Sequence, residues 1–161
     1  MHPWIVYAHV LGAFIFIAAH GTSMFISFRL RGTRDRQAVA DLLALSASSL
    51  GGVYLGLLVL LAAGVTAGFT GDHWGRGWIW ASIGILVVIV VVMYAVGTPF
   101  YGRMRAAAGI PGYAEKAADF KPPATAADLD ALATSSRPFW LATVGGVGLA
   151  AILFLMIQKP F

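Results

Sequence analysis

His9 and His20 are the side chains of this sequence best suited to chemistry. Both lie in an apolar run from Trp4 to Phe28. At 100° per residue they share one face of a helix, about 16 Å apart along its axis. Neutral imidazole is the usual axial ligand of b-type haem, and Ala8, Gly12, Ala18, Ala19 and Gly21 leave room for a flat macrocycle beside it. The spacing prevents both histidines from binding one iron. A bis-histidine site therefore needs a second copy of the chain, and within one chain Met93 is the available partner for His20. Tyr54, Met93 and Tyr94 fall at the depth of His20 and are the expected walls of such a pocket. A cofactor-free role is equally open, because membrane helices use neutral histidine as an interhelical hydrogen-bonding group. His20 would then bond Tyr54 or Tyr94.

A second constellation belongs to the opposite end. His2, His9 and His73, with Asp72 nearby, are candidates to converge at the mouth of the bundle, and imidazole with carboxylate suits copper, zinc or nickel. The alternative is that His2 and His73 are solvated loop residues, since no paired ligand spacing supports the site. The chain has no cysteine, which excludes disulfides and thiolate metal sites. No Asp, Glu, Lys or Arg falls inside an apolar run, which counts against an ion-coupled transporter.

Four apolar windows must position these groups: Trp4–Phe28, Leu50–Phe69, Gly77–Phe100 and Phe139–Ile157. Each is about the 20 residues that a helix needs to cross a hydrocarbon core. With 59% apolar and 11% charged residues, the 161-residue chain falls outside soluble globular composition. The expectation is an all-α bundle of four transmembrane helices forming one integral membrane domain over residues 1–161. Nine basic residues lie between the first and second or third and fourth windows, against Arg76 and Lys159 elsewhere. That bias predicts an N-out/C-out topology with the arginine-rich loops in the cytoplasm, and it makes nucleic-acid binding unnecessary. The first window lacks a basic segment ahead of it and reads as an uncleaved anchor.

Residues 40–49 read closely against 127–136, Trp4-Ile5 against Trp78-Ile79, and Arg29-Leu30-Arg31 against Arg103-Met104-Arg105. A tandem repeat of two-helix units follows, the first over 4–69 and the second over 78–157, with an insertion at 106–118 that reads as a turn. His9 aligns with Ile83 and His20 with Tyr94, so the repeat does not explain either histidine. The helix after the first loop, which opens with the first amphipathic segment, is expected to start near Thr33–Asp35 and run past Phe69. Pro122-Pro123, Thr125 and Asp128 mark the start of the second. Pro99 marks the inner end of the third span, and Pro138 is placed to kink the fourth. Small residues recur every four positions at Gly52 and Gly56, at Gly64 and Gly68, and at Ala142, Gly146 and Ala150. Such faces serve either packing within the bundle, with the second and fourth spans sharing an intimate seam, or a homodimer.

The opening Tyr7-Ala8-His9-Val10-Leu11-Gly12-Ala13, followed by small residues and Arg29-Leu30-Arg31, resembles an uncharacterised family of bacterial four-helix integral membrane proteins over nearly the whole chain. It is more distantly similar to copper-resistance protein D-like proteins and to HemJ-type protoporphyrinogen oxidases, where the resemblance implies haem binding at the position of His9. The expected function is a bacterial inner-membrane protein binding haem b, or alternatively copper or zinc, through His9 and His20 in redox or cofactor handling. The rival reading is a cofactor-free accessory or scaffold subunit of a membrane complex. A porphyrinogen-oxidising enzyme comes third.

Overall fold

In a computed structural model, which describes residues 3–111 and 125–161, every regular element is helical. The order is α1 (Pro3–Leu30), α2 (Arg36–Ser48), α3 (Leu50–Thr70), α4 (Gly77–Val92), a π turn (Met93–Gly97), α5 (Thr98–Ala108), α6 (Ala126–Ala133) and α7 (Arg137–Gln158). Four continuous or nearly continuous rods result: Pro3–Leu30, Arg36–Thr70, Gly77–Ala108 and Ala126–Gln158. Each is long and apolar enough to cross a membrane. Helix is the form such segments must take, because hydrocarbon offers no partner to a backbone N–H or C=O.

Local chemistry sets the helix starts. The Asp35 carboxylate accepts from the Gln37 N–H at the head of α2. Thr125 and Asp128 form a reciprocal capping box at the head of α6. Gly109 ends α5 at φ 81°, a left-handed conformation that favours glycine. Pro122 and Pro123 lie outside the described residues, as does the insertion beyond Pro111.

Both prolines occupy places that a helix can accept. The helix of the third rod continues past Pro99 to Ala108. Proline lacks an N–H and its ring crowds the carbonyl four residues back, and the π turn just before it widens the helix there. The fourth rod is interrupted just before Pro138. α7 restarts at Arg137 after a break, and Pro138 occupies its first turn, where the missing N–H costs nothing.

Two seams hold the rods together. α1 packs on α3 through backbone contact: a Cβ at Gly12 would lie 2.5 Å from Leu60 N, and one at Gly56 only 2.4 Å from Phe16 N. α7 packs on α4, with Gly148 against Ile89 and Gly145 against Met93. The expected seam between the second and fourth spans does not form, because each of them is taken by the helix before it in its own half. Gly52, Gly56, Gly64 and Gly68 all face neighbours inside the chain, whereas Gly146 faces open space.

The densest packing is at the arginine end rather than at membrane depth. Ile26 and Leu30 of α1, Val39 and Leu43 of α2, Phe100, Met104 and Ala107 of α5 and Leu129 of α6 form one buried cluster. Hydroxyls reinforce it. Ser46 donates to Ser23 at 3.1 Å, Ser23 pairs with Ser49 at 2.8 Å, and Ser49 donates to the Ser46 carbonyl. The Tyr101 hydroxyl donates to the Ser23 carbonyl at 3.1 Å. This network ties α1 and α5 to the bend between α2 and α3. Arg34 meets Asp130 at 2.6 Å, a solvated pair that adds little stability by itself.

Candidate functional site

His9 reaches from α1 across the first seam. Its Nδ1 lies 2.8 Å from the Leu60 carbonyl. A carbonyl can only accept, so the ring proton sits on Nδ1 and the lone pair on Nε2. Gly64 makes the approach possible: a Cβ there would stand 3.0 Å from the imidazole Cε1 and Nδ1. A metal-bound histidine typically donates its other ring N–H to a carbonyl or carboxylate in this way. A histidine that only joins two helices does the same.

His20 lies further toward the arginine end. Its ring stacks on Phe16 with centroids 5.5 Å apart and planes within 4°. Nε2 is 3.9 Å from where a Gly145 Cβ would be, and the Met93 methyl is 2.9 Å from the same point. The expected pairing of depth is therefore realised for His20 and Met93, with α7 closing on both. Gly145, having no side chain, lets α7 approach both groups closely. Tyr54 and Tyr94 are not brought to His20. They are 68% and 74% exposed on the flanks of the bundle. The imidazole of His20 makes no hydrogen bond among the described residues.

At the tryptophan end, His73 packs over Gly71 and against Trp78, with ring centroids 5.8 Å apart. His9 sits on Gly64, about 10 Å along α3 from that position. His2 lies outside the described residues. Asp72 is exposed in a left-handed turn at φ 52°. Among the described residues no three His, Asp or Glu side chains gather in a group able to hold a metal ion. What occupies this end instead is an aromatic cap. Trp74 covers Gly68, Trp80 donates its Nε1–H to the Trp74 carbonyl, and Phe161 covers Gly77 while its carbonyl accepts from Trp78.

Two polar features escaped the sequence reading. The serine–tyrosine network was hidden because Ser23 and Ser46 lie on different elements, although the Ser46–Ser49 run was visible. The other is an open cleft of about 510 Å³ at the arginine end, lined by Arg103, Ala106, Asp128, Leu132, Ser135 and Arg137 among others. Asp128 is held below the ordinary carboxylate range by the Thr125 hydroxyl first and the Thr125 N–H second.

No protein-family model, curated protein or solved structure matches the chain. The functional reading therefore rests on the molecule's own geometry.

Proposed function

We propose that this chain is a cofactor-free accessory or scaffold subunit of a membrane complex, in the bacterial inner membrane, with both termini outward and the arginine end in the cytoplasm. The observation that carries this reading is where the polar chemistry goes. At membrane depth His9 is engaged in joining α1 to α3, whereas the arginine end is a compact platform drawing on both halves of the chain. Such a platform offers a partner a packed surface, and the charge bias supports its cytoplasmic placement. The pairing of α1 with α3 and of α4 with α7 is also what a tandem repeat of two-helix units over 4–69 and 78–157 would produce.

The second reading is haem b, copper or zinc held through His9. It is favoured by one observation, the Nδ1–H bond to Leu60, which leaves Nε2 in the ligating tautomer. A visible spectrum of detergent-purified protein, oxidised and then dithionite-reduced, separates the two readings when combined with metal analysis and native electrophoresis of solubilised membranes. The accessory reading expects no stoichiometric cofactor and migration well above the 17.0 kDa chain. A stoichiometric Soret band or metal content that His9→Ala abolishes overturns it in favour of the second.

A further inference from the structure

A groove of about 590 Å³ runs along the second seam, between α4 and α7, and opens sideways at membrane depth. Its walls include Ala81, Gly84, Val88, Thr143, Val147 and Gly148, and are almost wholly apolar. The arginine-end cleft lies on the continuations of the same two rods, with Arg103 on α5 and Arg137 in the first turn of α7. At 100° per residue Arg137 shares a face with Val144, which lines the groove. Arg137 stands about 9 Å along the helix from Thr143, a small part of the roughly 30 Å hydrocarbon thickness. Along α7 the charged cleft therefore begins less than two turns beyond the apolar groove.

The charges suit an anion. Neither the Arg103 nor the Arg137 guanidinium has an ion pair or hydrogen bond among the described residues. Ser135 accepts from the Arg137 backbone N–H at 3.3 Å, which leaves its own hydroxyl proton to donate. Asp128 is the opposing charge in the cleft, and its carboxylate is already held by the Thr125 N–H at 2.9 Å and hydroxyl at 2.7 Å. Guanidinium groups at this depth match a lipid phosphate in charge and hydrogen-bond geometry.

We propose that this seam binds one anionic phospholipid, with its phosphate on Arg103 and Arg137 and an acyl chain in the groove between α4 and α7. The test is native mass spectrometry of delipidated protein offered equal phosphatidylglycerol and phosphatidylcholine. The expected result is one retained phosphatidylglycerol, with the preference cut about thirtyfold in R103Q/R137Q and largely kept in R29Q/R31Q, which removes two charges from the same end. Gly84→Leu, which fills the groove, is expected to release the lipid while circular dichroism shows unchanged helix. Glycerol phosphate, a headgroup without chains, is expected to compete poorly. Equal loss in the two arginine pairs would reduce the effect to general surface charge and overturn the proposal. So would an undiminished preference in R103Q/R137Q, or full competition by glycerol phosphate. If the double variant does not fold, the exposed Arg103→Gln alone carries the same comparison.

Discussion

Gly56→Ala is the substitution to which the structure assigns the largest effect per atom added. The new Cβ would lie 2.4 Å from Phe16 N, 2.8 Å from Phe16 Cα and 3.0 Å from Ile15 C. All three are backbone atoms of α1, so no rotamer change can relieve them. Carbon contacts settle at about 3.5–4.0 Å, and the helices must therefore part by about 1 Å at the crossing. Overpacking of this kind costs about 1–3 kcal/mol. Parting the helices also stretches the 2.8 Å bond from His9 to Leu60, one turn along the seam. An interhelical bond in lipid is worth about 0.6–1.7 kcal/mol, which puts the total at about 2–5 kcal/mol. The control is Gly51→Ala, where a Cβ meets nothing within 4 Å and the better helix former should be neutral or stabilising by up to about 1 kcal/mol. Unfolding of both variants in mixed detergent–dodecyl sulfate micelles, followed by loss of helical circular dichroism, gives the difference. Equal stability of the two variants would refute the close-approach argument for the α1–α3 seam.

Gly148→Ala should be milder than Gly56→Ala in the same assay, because its nearest neighbours are the Ile89 side-chain atoms Cδ1 at 2.5 Å and Cγ1 at 2.8 Å, and a side chain can turn away. Phe100→Ala, at a fully buried position of the arginine-end cluster, is expected to cost about 3–5 kcal/mol; a cost near that of an exposed flank residue such as Val91→Ala would contradict the placement of the core. Thr125→Val should raise the Asp128 pKa back toward the ordinary carboxylate value, read by NMR titration. In the native chain a lowered carboxyl pKa means that the cap stabilises above the normal carboxylate pKa and is lost as pH falls through the lowered one. The variant keeps the backbone N–H of residue 125 and should therefore show a weakened acid limb, and an unchanged titration would show that the Thr125 hydroxyl does not hold Asp128.

Much of the architecture was legible from local pattern. The four spans follow from apolar length, because a segment in hydrocarbon must satisfy its own backbone and only a helix does so alone. The heads of α2 and α6 were equally legible at Asp35 and at Thr125 with Asp128, since a cap involves residues two or three positions apart. At the prolines the sequence did not show the local form the backbone takes: a π turn before Pro99 and a helix break before Pro138 each give proline a tolerable place.

Of the candidate site, the sequence identified His9 and His20 as intramembrane histidines and matched His20 to the depth of Met93. It could not say what they touch. Tyr54 and Tyr94 lie exposed on the flanks, which the sequence could not show, because a rod that is apolar on every side carries no signal for which face meets protein and which meets lipid. Lipid chains are as apolar as leucine, so burial leaves no trace in composition. Length, charge bias and capping residues determined the helices and their ends. Only the tertiary structure decided that Gly12 and Gly56 meet, that His9 faces Leu60, and that Arg34 finds Asp130. Those choices depend on register between rods, and register is set by shape at contact distance, which no single helix encodes.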